Sequence, residues 1–344
     1  METKRWTVDS GVDEKISYPQ IQEAAHFLQR GHVVAFPTET VYGLGADATS
    51  DAAVKGIFEA KGRPSDNPLI VHVSSVGELD RLVAEITDVE RKLMKAFWPG
   101  PLTIIFRKKE GVFSSLVTAD LNSVGIRMPN HPVALNLIRL AGKPLAAPSA
   151  NTSGKPSPTT ADHVARDLTG KVAGIVDGGE TGVGLESTVI DCTVTPPMIL
   201  RPGGVSKEEI EQCIGKVDLD PSLKKEDSPR SPGMKYTHYA PTAPMFLVRD
   251  STSMQKQINI LRDEGKKVGV LVTRETAEDL SADFVRICGS RHQLDEVARQ
   301  LYGGIRSFDD TDADVILAET YPPQGIAQAI MNRLEKAAGQ KWLD

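Results

Sequence analysis

Apolar positions along the chain switch between two periods. In residues 19–30, Ile21, Ala24, Ala25 and Leu28 fall on one helical face, with Pro19 at the start and Gly31 just past the end. The continuous apolar run at 33–36 has strand length, and 51–60 is helical again, with Ala53, Val54, Ile57 and Phe58 inward. The same alternation predicts strands at 69–73, 103–106, 124–127, 145–147, 174–176, 188–192 and 198–200. It predicts helices at 76–84, 89–97, 132–140, 160–168 and 207–214. So many strands with interspersed helices point to a large mixed sheet, an α/β (α+β) fold. Residues 216–244 are rich in Pro, Ser and charge and read as a linker. Beyond it, strands at 246–248, 268–272, 285–287 and 315–317 alternate with helices at 253–262, 275–280, 293–305 and 326–336. Strict β-α alternation predicts a small parallel, Rossmann-like sheet. No G-x-G-x-x-G follows its first strand, so a dinucleotide site there has no support. The expected organisation is a domain over 1–215, a linker over 216–244 and a second domain over 245–344.

Composition narrows the function classes. The 344 residues are 40% apolar and 25% charged, ordinary for a globular chain, and the formal net charge is −6. An acidic balance speaks against a chain that grips nucleic acid through its phosphates. No apolar run approaches the ~18 residues that a membrane span needs, and residues 1–8 carry no signal-peptide core. Cys192, Cys213 and Cys288 show neither disulfide spacing nor a paired metal knuckle. The expectation is a reduced, cytoplasmic protein with no membrane partner and no protein-built metal site.

Polar clusters close several of the expected strands, where α/β folds place ligands. Pro37-Thr-Glu-Thr-Val-Tyr-Gly-Leu-Gly45 reads as a substrate loop or as a turn capped by hydroxyls. Lys61-Gly-Arg63 puts two cations on a Gly/Pro-constrained loop, suited either to an anion or to the end of a helix. His72 sits in an apolar strand, where a histidine is a core residue or a ligand. Arg127 and Arg201 close two further strands, and Ser149-Ala-Asn151-Thr-Ser-Gly154 follows a third. Lys61, Arg63, Arg127 and Arg201 are not a general basic excess; if they converge, a phosphate-bearing small molecule is the natural guest. Walker A, protein-kinase, H-E-x-x-H and Gly-x-Ser-x-Gly patterns are absent from the sequence.

In this order, the clusters resemble the YrdC-like family, in its two-domain threonylcarbamoyl-AMP synthase form. The match rests on the Pro37–Gly45 motif, Lys61-Gly-Arg63 with Asn67-Pro-Leu-Ile-Val-His72, Trp98-Pro-Gly-Pro-Leu-Thr103, and Ser149–Gly154. It continues through Glu186-Ser-Thr188, Arg201-Pro-Gly203 and Ser231-Pro-Gly-Met-Lys-Tyr-Thr-His-Tyr-Ala-Pro241. The resemblance implies a YrdC-like catalytic domain and a reaction of L-threonine, bicarbonate and ATP, with Mg2+ on the nucleotide. The products would be threonylcarbamoyl-AMP and pyrophosphate, the adduct passing to a tRNA-modifying transferase. It implies a threonine pocket of Thr40, His72, Arg127, Ala147 and Ser187. It implies a nucleotide side of Arg63, Asn67, Ser123, Ser149, Asn151, Ser157 and Arg201, with Lys61 and Arg63 catalytic as phosphate holders. It implies that 231–241 closes as a lid, with Tyr236 and His238 near the nucleotide. It names no general base.

Two other readings compete. One is an RNA-binding module, which the net charge and 5% aromatic content disfavour, leaving weak or no direct tRNA binding as the expectation. The other is a carbamoyltransferase subunit, but the paired Cys-x-x-Cys motifs of such proteins are missing.

Overall fold

The computed structural model describes residues 2–9, 18–221, 239–249 and 251–343. They divide into two compact units: Met1–Ser153, Pro158–Gly182 and Glu186–Lys235 in one, Gly154–Ser157, Val183–Leu185 and Tyr236–Asp344 in the other. Tyr236 and His238, with most of 216–244, lie outside the described residues, and so does the expected lid.

The first unit is built on β1 (Lys4–Thr7), β2 (Val34–Phe36), β3 (Gly43–Asp47), β4 (Val71–His72), β5 (Leu102–Arg107) and β6 (Ser123–Arg127). It continues with β7 (Leu145–Ala146), β8 (Gly174–Asp177), β9 (Thr188–Asp191), β10 (Met198–Arg201) and β11 (Asp218–Leu219). They form one mixed sheet in the order β1-β8-β2-β3-β7-β4-β6-β5-β9-β10-β11. Helices Asp51–Lys61, Asp88–Phe97, Ala161–Leu168 and Lys207–Ile214 bury apolar stripes in one core, with Val71, Ile104 and Ile126 of the sheet. Helices Pro19–Gln29 and Pro132–Ala141 form a second core with Phe36, Leu145 and Ala147. Among the described residues, Ile70, Ile105, Val189 and Leu200 form a further small apolar group on the sheet.

Several expectations change. The loop predicted from Pro37 to Gly45 ends early, because Gly43–Asp47 is a strand antiparallel to β2. Two glycines disguise it, and Gly45 is needed there: a Cβ would meet the Phe36 ring at 2.7 Å. The helix predicted at 76–84 is a 3-10 turn, Val76–Glu78, followed by the single turn Leu79–Leu82. Strand β1 went unpredicted because it is an edge strand with Trp6 as its one buried residue.

The second unit holds β12 (Met245–Val248), β13 (Val268–Val272), β14 (Phe284–Ile287), β15 (Val315–Glu319) and β16 (Trp342–Leu343). They pair in parallel in the order β14-β13-β15-β12-β16. Connections leave β13 and β15 in opposite directions, the arrangement that opens a ligand crevice in doubly wound folds. Here Glu319 occupies it, accepting from the Thr273 N–H at 2.7 Å and from Arg291 Nε at 3.0 Å.

Candidate functional site

The site grows from the register of two parallel strands. β4 and β6 pair Val71 with Ile126 and His72 with Arg127, so these two candidate side chains close their strands on the same face. Ser123 opens β6 at its other end, and Asn67 lies in the loop that leads into β4. At about 3.3 Å per residue, Ser123 starts β6 roughly 13 Å from Arg127. The predicted residues thus fall into two groups along one pair of strands.

At the closing end, Arg127 is 3% exposed. Its Nε donates to the Gly100 carbonyl at 3.1 Å and its Nη1 to Thr40 Oγ1 at 2.8 Å. Thr40 Oγ1 also lies 2.8 Å from Thr38 Oγ1, which donates to the Val41 carbonyl at 2.6 Å. The guanidinium and the loop between β2 and β3 therefore fix one another. The predicted threonine residue Ala147 commits its N–H to the Ile70 carbonyl at 2.9 Å. Ser187 Oγ lies 2.7 Å from Thr103 Oγ1, and Arg201 Nη2 donates to the Ser187 carbonyl at 2.9 Å and its hydroxyl at 3.2 Å. Thr40, His72 and Arg127 thus come together, while Arg201 meets Ser187 of the expected threonine group.

At the other end, helix Asp51–Lys61 sets the cations. Ser50 caps its start, and Gly62 ends it in the left-handed conformation at φ 61°, a backbone state glycine adopts without penalty. Lys61 is buried, and its ammonium donates to the Ser149 carbonyl at 2.5 Å and the Asn151 carbonyl at 2.7 Å. Ser149 Oγ bonds Asn151 Oδ1 at 2.5 Å. Lys61, Ser149 and Asn151 are therefore one cluster, a grouping no sequence spacing reveals. Arg63 Nη2 donates to the Asn67 carbonyl at 3.3 Å, which folds the loop between them. Ser157 is fully buried and partitions with the second unit.

Sequence reasoning gave Glu39 no role and did not single out His131. Glu39 Oε2 lies 2.5 Å from Arg127 Nη2, an ion pair by distance. Yet both Glu39 oxygens and Arg127 Nη2 are buried without an aligned hydrogen bond. His72 Nδ1 and His131 Nδ1 are buried without a partner as well. A carboxylate between two threonines on a glycine-flanked loop is the signal that could have pointed to Glu39. Groups of this kind are rare in folded interiors and collect where a ligand completes them.

Electrostatics keeps both histidines neutral. Burial, with the Arg127 charge beside it, lowers His72 to about 3. Burial lowers His131 to about 4, against an opposing pull from Glu39. Both folded-state values lie below the unfolded value near 6.5, so the unfolded chain binds more protons as pH falls. Stability is then fully present above about 6.5 and is lost as pH falls toward 3–4. Between pH 7 and pH 5 each histidine is expected to cost about 2 kcal/mol. Urea unfolding at the two pH values tests this. A His131→Asn chain that loses as much stability as the parent would rule His131 out as a source.

The description "Telomere recombination" belongs to the family model that matches residues 26–203, and "Threonylcarbamoyl-AMP synthase, C-terminal domain" to the one that matches 205–339. The threonylcarbamoyl-AMP synthase of Bacillus subtilis (strain 168) is 54% identical over 341 residues, 98% of this chain and 99% of that one. The chain belongs to the threonylcarbamoyl-AMP synthase family. The Pyrococcus abyssi member is 49% identical over 342 residues, 97% of this chain and 98% of its own. The crystal structure of P. abyssi Sua5 complexed with L-threonine superposes with a TM-score of 0.93 at 47% identity, covering 99% of both chains. Among the described residues no helix is long and apolar enough to cross a membrane.

Proposed function

We infer that this chain makes threonylcarbamoyl-AMP and pyrophosphate from L-threonine, bicarbonate and ATP. It is thus a nucleotidyltransferase of the cytoplasm that feeds a tRNA-modifying transferase and binds tRNA weakly or not at all. The observation that carries this reading is the buried Arg127 at the end of β6, joined to Thr40 and in register with His72. The same fold, in P. abyssi, is known with L-threonine.

In this mechanism Arg127 takes the amino-acid carboxylate, and Thr40 and Ser187 supply hydroxyls. His72 is neutral at pH 7 and adds no charge beside Arg127. The neutral amine attacks bicarbonate, and the carbamate oxygen then attacks the α-phosphate in line as pyrophosphate leaves. Lys61 and Arg63, near the start of β4, supply positive charge to the phosphates, and the Lys61–Ser149–Asn151 cluster keeps that charge fixed. Donors at this end are cations and amides rather than carboxylates, a set that fits phosphate. Mg2+ would enter with ATP, held by its phosphates, and would neutralise charge there.

Pyrophosphate release should require threonine and bicarbonate together, each omitted in turn. Release that needs neither would overturn the reading. Lys61→Ala and Arg63→Ala are each expected to lower the rate by about 10²-fold or more. Undiminished turnover in folded variants would remove both residues from the phosphate role.

A further inference from the structure

We propose that Glu39 is a catalytic residue that receives the ammonium of the amino-acid substrate and removes its proton. The proposal rests on the reading that the site takes a free amino acid.

Glu39 faces one cation, Arg127, and no aligned hydrogen-bond donor. Its side chain is 12% exposed, and neither carboxylate oxygen has a hydrogen-bond donor. Burial of an ionised carboxylate in that state is costly unless something completes it. The neighbouring cation only half does so. Nε and Nη1 of Arg127 are tied to Gly100 and Thr40, while Nη2 stands 2.5 Å from Oε2 without aligning on it. The guanidinium is therefore clamped, and its third corner and the carboxylate face each other as two incompletely satisfied poles.

An α-amino acid is the complement of those poles. Its carboxylate and ammonium are separated by a single carbon. Its two acceptor oxygens suit Arg127, and its three N–H donors suit Glu39. The remaining surroundings favour this use. His131 is held neutral by burial and brings no second cation to Glu39. Thr38 and Thr40 are committed to each other, to Val41 and to Arg127.

The chemistry needs such a group, because an ammonium has no lone pair. One N–H proton moves to the Glu39 carboxylate, and its bonding pair becomes the amine lone pair. The amine attacks the bicarbonate carbon, the C–OH bond breaks, and the departing hydroxide takes the second N–H proton as water. Carbamate remains, and Glu39 returns its proton to solvent between turnovers.

The test compares two ligands on the full chain by calorimetry: L-threonine, and 2,3-dihydroxybutanoate of the same configuration, in which a hydroxyl replaces the amine. In Glu39→Gln, L-threonine binding should weaken at least about tenfold while the dihydroxy acid changes less than about threefold. Pyrophosphate release by this variant should also climb nearly tenfold per pH unit above pH 7, following the free amine, more steeply than the parent. A purely structural role would move neither the ligand ratio nor the pH slope. Unchanged threonine affinity, or equal losses for both ligands, would overturn the proposal. Should the Gln chain not fold, Glu39→Asp applies the same test: it keeps the charge and should keep the preference for the amine. Loss of that preference in a folded Asp chain with parental pH slope counts against the proposal. If the parent chain binds no L-threonine, the underlying functional reading fails; if it binds and Glu39→Gln binds equally, only the role of Glu39 fails.

Discussion

Arg127→Ala is expected to raise the threonine concentration needed for half-maximal pyrophosphate release by about a hundredfold, with the ATP requirement within a few-fold of the parent. The size follows from the loss of a buried, charge-assisted contact to a carboxylate, about 3 kcal/mol. The selectivity follows from position: Arg127 closes β6 beside Thr40, whereas Lys61, Ser149 and Asn151 form a separate cluster. The substitution also strands Glu39 without its cation, so about 3–5 kcal/mol of stability should go with it. Arg127→Lys should recover little, since a point charge cannot reach Gly100, Thr40 and the substrate at once. Equal rises in the threonine and ATP requirements would take Arg127 out of the amino-acid pocket.

Gly203→Ala is expected to be the most damaging single-methyl change in the first unit. A Cβ at that position would lie 2.3 Å from Ser187 C and Thr188 N and 2.4 Å from Glu186 O. These are backbone atoms, so no rotamer change relieves them. The strand end carrying Ser187 must move, and the contact from Arg201 to its carbonyl and hydroxyl goes with it. A loss of about 3 kcal/mol or more is expected in urea unfolding. Gly77→Ala supplies the contrast: nothing lies within 4 Å of its added Cβ, and stability should stay within about 0.5 kcal/mol. Equal behaviour of the two variants would show that the packing at Gly203 carries no such weight.

Much of the scaffold was legible because its physics is local. Buried strands such as Val268–Val272 and amphipathic helices such as Lys207–Ile214 announce themselves by period alone. Gly43–Asp47 did not, because its glycines answer to the Phe36 ring rather than to strand propensity. The candidate site residues come from ordered motifs whose members share short stretches of chain. What stayed hidden was pairing across long intervals. Nothing near Lys61 in sequence indicates that its ammonium meets the Ser149 and Asn151 carbonyls. Nothing near Glu39 indicates that its partner is Arg127. Such contacts are set by sheet order, which a single sequence encodes only weakly.

That sheet order governs when the protein can begin to work during synthesis. Lys4 pairs with Gly174, and Leu102 pairs with Thr188. A ribosome must therefore release nearly the whole first unit before the edge strand β1 finds its neighbour or Ser187 meets Thr103. Pairings of such high sequence separation close late and slowly. Until then the apolar strand β5 lacks its neighbour β9, and an unpaired strand edge is prone to association with other chains. No growing fragment that stops short of Arg201 can make the contact from its guanidinium to Ser187.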